Sequence, residues 1–479
     1  TIAPDSQDLT LAYYPDRSMN PLYGSDYTNR VVMSLMYQGL FAVDSKNNTT
    51  PILCSQYQVT PDNRTWTIYL EPNATFSDGT RVTVQDVVAS YEQARQNVYY
   101  KGRFTHIARV ELSSDGGVDF FLDTPYQNLA LLLDIPIVKA SEVTADNPLG
   151  TGPYSLEDGI GGKHLQRVVG WWCSSDDLVA KDSSIALVEA ESPSQIRDEF
   201  EFSGLSVVCT NPQTDSYADY RCDFELWEVD SGFMMYIGCN VTYSKFFDDG
   251  TLRTFLTYGI DRQTLVDDNY GGLALPTTLP ISPMSPYYSK SLATNYDYDE
   301  MRFIDAASKF RVPTNDKGVP RTLQLLVNSD DSARLRCARN IAATLTELGL
   351  ACETVESPTS VYEARLQAAN YDIYLGITKL PTTADLSEFY RPWGEMSWGG
   401  LANETIYNMV NQSLADRGNY YNLHKLVADD GRIIPVMAGY YAIYAKRGVL
   451  SDLNPARDNV FYYTLGKTME SSKVATQFS

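Results

Sequence analysis

The stretch between residues 321 and 377 alternates between two spacings of apolar residues. Three short apolar runs predict strands, at residues 322–327, 350–355 and 371–377. Two intervening segments with apolar residues three or four positions apart predict helices, at residues 335–348 and 361–368. Because parallel strands need a crossover between them, and such crossovers are right-handed, this alternation predicts an α/β domain with a mostly parallel sheet.

A ligand site in such a domain is expected beyond the carboxyl ends of its strands. Three loops begin there, at residues 328–332, 356–360 and 378–400. The third loop is long, shows no clear periodicity and carries tyrosine and tryptophan residues. Loops of that length without regular structure are often functional, so the sequence favours this one as part of a binding site.

The first half of the chain shows shorter elements. Residues 9–13 and 66–70 alternate between apolar and polar side chains, which predicts half-buried strands. Asp78 begins a turn, and Thr83 is expected to cap a helix that has Asp86 at its third position. These residues are therefore predicted to be structural rather than ligand-binding.

Length and charge restrict the class of protein. A chain of 479 residues is too long for one ordinary core and predicts two or three domains. The net charge is −22, from 60 acidic and 38 basic residues. This argues against nucleic acid as a partner, because phosphate binding needs clustered Lys and Arg. The acidic field either favours cationic ligands or only keeps the surface solvated.

The residues that usually carry catalysis or bind metals are scarce. The chain has only three histidines. It contains neither the H-E-x-x-H motif of metalloproteases nor the G-x-S-x-G motif of α/β-hydrolases, and it lacks the nucleotide-binding motifs G-x-x-x-x-G-K-[ST] and G-x-G-x-x-G. None of the seven cysteines are spaced as C-x-x-C, although Cys209 with Cys222, or Cys337 with Cys352, could form a local disulfide. Carboxylate pairs are unavoidable among 60 acids and decide nothing. We expect no catalytic residues, no metal site and no cofactor.

Three segments, in order, resemble one protein family. Residues 66–90 contain W-T-I-Y-L, F-S-D-G-T and T-V-Q-D-V-V-A-S; residues 150–154 read G-T-G-P-Y; and residues 252–266 contain G-I-D-R-x-x-L. This order is similar to that of the family 5 extracellular solute-binding proteins, the receptors of ABC importers for oligopeptides, dipeptides and nickel. The resemblance extends over nearly the whole chain.

The resemblance implies a fold and its division. Members have an α/β, two-lobe fold of the periplasmic-binding-protein-like type II, cluster C-like, a Venus flytrap with an extra subdomain in lobe I. The implied segments are lobe I at 1–240, its subdomain at 41–150, lobe II at 241–434, and a return to lobe I at 435–479. The two crossings between lobes would lie at 233–240 and 433–437.

The resemblance also implies a function. We expect a non-enzymatic substrate-binding protein that holds a short peptide or related small solute in the interlobe cleft and delivers it, as a monomer, to a membrane ABC permease. A non-peptide ligand such as an oligosaccharide or metal complex, a sensor role, and a secreted hydrolase remain alternatives. Residues 1–5 do not resemble a signal peptide, so either the chain is cytoplasmic or its targeting segment is absent from this sequence. The resemblance favours an extracytoplasmic receptor, periplasmic or anchored to the cell surface as a lipoprotein.

Ligand-binding residues are predicted where aromatic and amide side chains stand at the ends of elements. Tyrosine and tryptophan offer large contact area with one hydrogen-bonding group, and the chain has 34 Tyr and 6 Trp. The predicted residues are Tyr13, Asn20, Tyr236, Asn240, Asp385, Trp393, Trp398 and Asn403.

Asp385 is included because this chain departs from the peptide-binding members. Their lobe II loop carries an acid that pairs with the α-amino group of the ligand, and Pro381 falls at that position here. Since a buried ammonium without a partner is costly, the change weakens the case for free peptide N-termini. Asp385 is the nearby acid that could replace it. The same loop lacks the histidine of the nickel-binding members.

Overall fold

The computed structural model describes residues 8–24, 26–174, 182–202, 204–214, 220–450 and 453–461, and the backbone of 477–478. The chain divides into two compact units. Unit 1 comprises Thr1–Val229 and Tyr441–Ser479, and unit 2 comprises Asp230–Tyr440.

The described residues form both strands and helices. The strands are β1 (Thr10–Tyr13), β2 (Phe41–Val43), β3 (Thr49–Pro51), β4 (Cys54–Val59), β5 (Thr65–Leu70), β6 (Ile107–Leu112), β7 (Val118–Leu122), β8 (Tyr154–Gly159), β9 (Gly162–Arg167), β10 (Ser184–Glu189), β11 (Val207–Thr210), β12 (Glu225–Cys239), β13 (Leu275–Pro276), β14 (Leu323–Asn328), β15 (Cys352–Ser357), β16 (Ile373–Lys379), β17 (Ile433–Ala445) and β18 (Gln477–Phe478). The helices are α1 (Tyr27–Met33), α2 (Val84–Arg95), α3 (Pro193–Phe202), α4 (Thr251–Phe255), α5 (Arg262–Tyr270), α6 (Lys290–Ala293), α7 (Glu300–Lys309), α8 (Ser332–Glu347), α9 (Thr359–Gln367), α10 (Ser387–Tyr390), α11 (Glu404–Ala415) and α12 (Tyr420–Asp430).

The chain passes from one unit to the other within two long strands, β12 and β17. The resemblance placed these changes near residues 240 and 434, at the end of the first strand and the start of the second. The division between the units falls inside both strands, after Val229 and after Tyr440. A continuous strand carries no turn that would mark such a point in the sequence.

Unit 1 contains two antiparallel-rich sheets and a small hairpin. One sheet has the order β1-β10-β9-β8, with β1 parallel to β10, and the other has the order β18-β4-β5-β7-β6. The predicted strands at 9–13 and 66–70 are confirmed as β1 and β5. The predicted cap is confirmed too, because Asp86 Oδ2 accepts a hydrogen bond from Thr83 N at 2.7 Å at the start of α2.

The G-T-G-P-Y segment of unit 1 requires glycine for steric reasons. A Cβ atom added to Gly150 would lie 2.3 Å from the carbonyl oxygen of Met36, and one added to Gly152 would lie 2.5 Å from the Met36 carbonyl carbon. Thr151 between them donates to Gln38 Oε1 at 2.9 Å. The motif therefore lets this turn pack directly on the backbone that follows α1.

Unit 2 contains the parallel sheet predicted from the spacing of apolar residues. Strand β14 pairs in parallel with β15 on one side and β16 on the other, and β12 pairs antiparallel with β16. The crossover helices are α8 and α9, so the predicted order of strand, helix, strand, helix and strand is confirmed. Helix α8 buries Ile341 and Leu345 in the same apolar core as Leu325 of β14 and Leu375 of β16.

The G-I-D-R segment of unit 2 is a structural clamp. Arg262 is 4% exposed, and its Nε donates to the carbonyl oxygen of Pro435 in β17 at 2.8 Å. Its Nη2 donates to Thr257 Oγ1 at 2.7 Å, and its Nη1 reaches the carbonyl oxygens of Thr257 and Ile260 at 3.3 Å each. Burial lowers the pKa of Arg262 to about 10. Asp261 caps α5 by accepting from Thr264 N. The segment thus ties α5 to the start of β17.

The cysteines form no local disulfide. Cys209 and Cys222 are both thiols, as are Cys337 and Cys352, so neither of the pairings left open by the sequence exists. Burial raises the pKa of Cys337 and of Cys352 to about 12. Because the thiolate is the reactive form, these two residues are chemically inert near neutral pH.

None of the helices in the described part of the chain is both long and apolar enough to cross a membrane.

Replacing Arg262 tests the clamp. Arg262→Met keeps most of the side-chain volume but removes the buried donors to the Pro435 carbonyl oxygen and the Thr257 hydroxyl, so we expect the free energy of unfolding to fall by about 3 kcal/mol. Urea unfolding followed by far-ultraviolet circular dichroism measures this. The control is Gln263→Ala on the exposed side of the same helix, which should cost less than about 0.5 kcal/mol. Equal losses in the two variants would contradict the clamp.

Candidate functional site

An aromatic layer covers one face of the unit 2 sheet and includes two of the predicted residues. The ring of Tyr236 in β12 lies edge to face against Tyr374 of β16 at 5.6 Å and against Phe389 of α10 at 5.0 Å, measured between centroids. Trp398 lies edge to face against Tyr374 at 5.8 Å. Tyr374 also donates a hydrogen bond to the Tyr236 hydroxyl at 3.1 Å. Tyr236 and Trp398 are therefore linked through Tyr374.

The two predicted residues of unit 1 make hydrogen bonds within their own unit. Tyr13, at the end of β1, donates from its hydroxyl to Glu189 Oε1 of β10 at 2.8 Å. Asn20 is 2% exposed, and its Nδ2 donates to the carbonyl oxygens of Val143 and Ala145 at 2.9 and 2.8 Å. The Asn20 side chain thus holds its loop in place, and both of its N–H groups are used in doing so.

Asn240 and Asn403 of unit 2 also make hydrogen bonds to the backbone of their own unit. Asn240 Nδ2 donates to the carbonyl oxygens of Ala369 and Tyr371 at 2.9 and 2.8 Å. Asn403 caps α11 by accepting from Ile406 N at 2.9 Å. Asn403 is one of the predicted ligand contacts; an asparagine just before a helix is a common N-cap, and that signal could have identified its structural role.

Asp385 stands at the start of α10. Its Oδ1 accepts from the backbone nitrogen of Ser387 at 2.9 Å and from Ser387 Oγ at 2.6 Å, and the residue is half-buried. A carboxylate can accept several hydrogen bonds at once.

Trp393 differs from every other predicted residue. Its side chain is 97% exposed, and its φ of 59° lies in the left-handed region. It is five residues before Trp398, yet it takes no part in the aromatic layer described above.

Arg334 is a candidate that sequence reasoning missed. It lies in the first turn of α8, just after the carboxyl end of β14, and it is 6% exposed. Its Nε has no hydrogen-bond acceptor among the described residues. The closest approach to a carboxylate is 3.6 Å, to Asp331 Oδ2, and the guanidinium carbon lies 5.3 Å from the ring centre of Tyr362. A buried charge with so little compensation is costly, so this guanidinium is suited to receive an anion.

The surroundings of Arg334 are otherwise closed by internal hydrogen bonds. Asp330 Oδ2 accepts from Thr359 N at 2.8 Å and from Thr359 Oγ1 at 2.7 Å, and Asn328 Nδ2 donates to the same hydroxyl at 3.1 Å. The first amide of α9 is therefore occupied by Asp330. The two loops predicted at this edge, residues 328–332 and 356–360, are therefore hydrogen-bonded to each other. The predicted loop 328–332 ends two residues before Arg334.

A cavity in unit 1 is too small for a peptide. It has a volume of about 50 Å3 and is lined by Arg30, Gln38, Asp134 and Asp458 among others. Arg103 pairs with Asp134 and, at 2.7 Å, with Asp458, while burial raises the pKa of Asp134 to about 6. Gln38 Nε2 has no acceptor among the described residues. Polar walls and this volume fit a few water molecules.

The described residues hold no group of three or more His, Cys, Asp or Glu side chains arranged to bind a metal ion.

Comparison with solved structures identifies the fold class. The substrate-binding protein CtaP of Listeria monocytogenes is similar over 97% of this chain and 100% of its own, with a TM-score of 0.73 and 18% identity. MppA, a periplasmic murein tripeptide-binding protein in its unliganded open form, is similar over 96% of this chain and 97% of its own, with a TM-score of 0.78 and 15% identity. The predicted α/β fold of type II periplasmic binding proteins is confirmed.

The family follows from the sequence itself. The profile of the bacterial extracellular solute-binding proteins, family 5 (middle region), matches residues 48–400, and the chain belongs to this family. A curated relative, the glutathione-binding protein GsiB of Escherichia coli, is 25% identical over an alignment of 302 residues that covers 58% of this chain. The match spans 57% of the relative's length.

His424 provides a test of burial in unit 2. This residue of α12 is fully buried, neither ring nitrogen has a hydrogen-bond partner among the described residues, and burial lowers its pKa to about 3. An unfolded histidine titrates near pH 6.5, so below that pH the unfolded chain takes up a proton that the folded chain refuses. The contribution of His424 to the free energy of unfolding is therefore fully present above about pH 6.5 and is lost as the pH falls toward 3. Between pH 7.5 and 5.0 the loss should be about 2 kcal/mol.

The measurement is urea unfolding at the two pH values. His424→Phe should remove this part of the pH dependence, and the difference between wild type and variant isolates it from other titrating groups. Tyr421→Phe, on an exposed ring of the same helix, should retain the wild-type dependence. If the free energy of unfolding changed equally with pH in wild type and in His424→Phe, the His424 ring would bind a proton as readily in the folded protein as in the unfolded chain.

Proposed function

We propose that this protein is the solute receptor of an ABC importer and that it binds a short peptide or a closely related solute whose carboxylate pairs with Arg334. Membership of a family of extracellular solute-binding proteins supports the receptor role. The nearly buried and poorly compensated guanidinium of Arg334 is the observation that carries the choice of ligand.

The position of Arg334 agrees with the general rule for α/β sheets. It follows the carboxyl end of β14, the edge at which such sheets bind ligands. A guanidinium presents several N–H groups in one plane and can bind both oxygens of a carboxylate. A solute carboxylate there would supply the acceptors that the folded chain does not.

The relatives bind ligands of this kind. The curated relative is a glutathione-binding protein, and one solved structure of the same fold is a murein tripeptide-binding protein. Both ligands are short peptides that carry carboxylates. On this proposal the solute of the present chain shares that chemistry, and an oligosaccharide or a metal complex is the less favoured ligand.

Two further contacts are proposed for residues that the sequence predicted. Asp385 is proposed to accept from the amino group of the solute, and the half-buried ring of Trp398 to contact an apolar part of it. Tyr236 would support Trp398 through Tyr374. We further propose that the chain works outside the cytoplasm without catalysing a reaction, that it is held in the periplasm or by a lipid anchor, and that a membrane permease is its partner.

The carboxylate contact is tested with a peptide and its C-terminal amide. Isothermal titration calorimetry with trialanine, trialanine amide and glutathione should show that wild type prefers the free acid of trialanine by about 10- to 100-fold, the range expected for a charged hydrogen-bonded pair. Arg334→Gln should lose this preference without a lower thermal unfolding midpoint, because it removes a buried charge whose nearest carboxylate, Asp331, lies 3.6 Å away.

The control for this test is Arg336→Gln, an exposed arginine of the same helix. It should keep the wild-type preference for the acid. A preference that survives in Arg334→Gln would exclude Arg334 as the carboxylate partner. Wild-type protein that binds none of these peptides would exclude the peptide ligand altogether.

The amine contact is tested with the same peptide and its N-acetyl form. If Asp385 pairs with the amino group, wild type should prefer the free amine, and Asp385→Asn should reduce that preference by about 10-fold or more. Glu404→Gln, on an exposed acid at the start of α11, should not affect it. Equal affinity of wild type for both peptides would rule out this role for Asp385.

A further inference from the structure

The loop after α10 displays one aromatic ring fully to solvent. Trp393 is 97% exposed and has a φ of 59°, a left-handed conformation that bulky side chains rarely adopt. Both features are unfavourable for the isolated chain, because the ring gains no contact and the backbone is strained. Strain of this kind persists only where the surrounding structure imposes it, and it is concentrated at functional sites.

The surrounding structure does impose it, through Glu388 of α10. Glu388 Oε2 accepts from Glu395 N at 2.8 Å, and the Glu388 carbonyl oxygen accepts from Met396 N at 3.0 Å. Arg391 pairs with Glu388 Oε1 at 2.5 Å and accepts from Gly394 N at 3.1 Å through its carbonyl oxygen. A Cβ atom at Gly394 would lie 2.3 Å from the Glu388 carbonyl oxygen, so the loop closes too tightly for any other residue.

We propose that Trp393 is a preorganised anchor that inserts into an apolar pocket of a protein partner, the membrane subunit of the importer. This inference rests on the proposed function. Tryptophan is enriched among the residues that dominate protein interfaces, where it fills a desolvated pocket. Because hydrogen bonds already fix the backbone of the loop, only the side-chain torsions of Trp393 lose freedom on binding, which lowers the entropy cost.

The exposure of the ring favours a protein over a small solute as the occupant. Sites for small molecules are concave and enclose most of the ligand, whereas Trp393 stands clear of its own unit on nearly all sides. A pocket in another protein can surround the ring. Glu395 is exposed beside it, and the chain carries a net charge of −22. The complementary pocket is therefore apolar with a basic rim.

The test separates solute binding from transport. Trp393→Asn keeps the backbone of the loop, because asparagine accepts the left-handed region readily. Tyr243→Asn is the matched control, since Tyr243 is a 72% exposed aromatic residue of the same unit outside the left-handed region. Both variants are compared with wild type for affinity toward trialanine and glutathione in vitro. They are also compared for uptake of the radiolabelled peptide that wild type binds better, by cells of the source organism in which they replace the native gene.

We expect Trp393→Asn to bind the peptide with an affinity within two-fold of wild type while uptake falls by about 10-fold or more, the effect of losing an interface anchor. Its thermal unfolding midpoint should not fall. Tyr243→Asn should keep both affinity and uptake. Acrylamide should quench the fluorescence of Trp393, taken as the difference between wild type and Trp393→Asn, equally with and without saturating peptide.

Two outcomes would overturn the inference. Normal uptake by Trp393→Asn would show that no partner uses the ring. A loss of affinity of 10-fold or more, together with protection of the ring from acrylamide by the peptide, would assign Trp393 to the solute instead. Failure of the proposed function has a different signature, in which wild type binds neither peptide and deletion of the gene leaves uptake unchanged, and the inference would then fail with it.

Discussion

A buried guanidinium needs acceptors for its N–H groups, and this requirement separates the arginines of this protein by role. Arg262 is supplied by backbone carbonyls and one hydroxyl, which fixes α5 to β17 in unit 2. Arg103 is supplied by the carboxylates of Asp134 and Asp458 in unit 1. Arg334 has neither arrangement, because Asp331 lies beyond hydrogen-bonding distance and Nε has no acceptor in the described residues. The fold supplies the acceptors for Arg262 and Arg103, whereas a solute would supply those that Arg334 lacks.

The fold of unit 2 was accessible from the sequence because its elements are long and their periodicities differ. The order of β14, α8, β15, α9 and β16 follows from the apolar spacing alone, and the edge at which a ligand is expected follows from the topology. The capping of α2 by Thr83 followed from residue type and position. These are local patterns, and local patterns are what a single sequence records.

The site was less accessible, because burial and partnership are tertiary properties. In the sequence, Arg334 looks like any arginine in the first turn of a helix, and its burial arises from packing near Tyr362 of a different helix. Asn20 and Asn240 look like ligand contacts because they are polar residues near the ends of strands. Their acceptors are carbonyl oxygens more than a hundred residues away in sequence, as with Asn20 and Val143. The same limitation applies to Trp393, whose exposure and backbone conformation no local pattern indicates.

The two crossing strands have a consequence for the order in which the protein can fold during synthesis. Unit 2 is one uninterrupted stretch, Asp230–Tyr440, whereas unit 1 lacks Tyr441 and the residues after it until unit 2 has been made. Strand β11 finds its partner residues, Ala442 to Ala445, only then, and Arg103 gains the Asp458 carboxylate later still. During synthesis, unit 2 is therefore complete before unit 1. Until the last segment of unit 1 is made, β11 lacks its partner strand and Arg103 has only one of its two carboxylates.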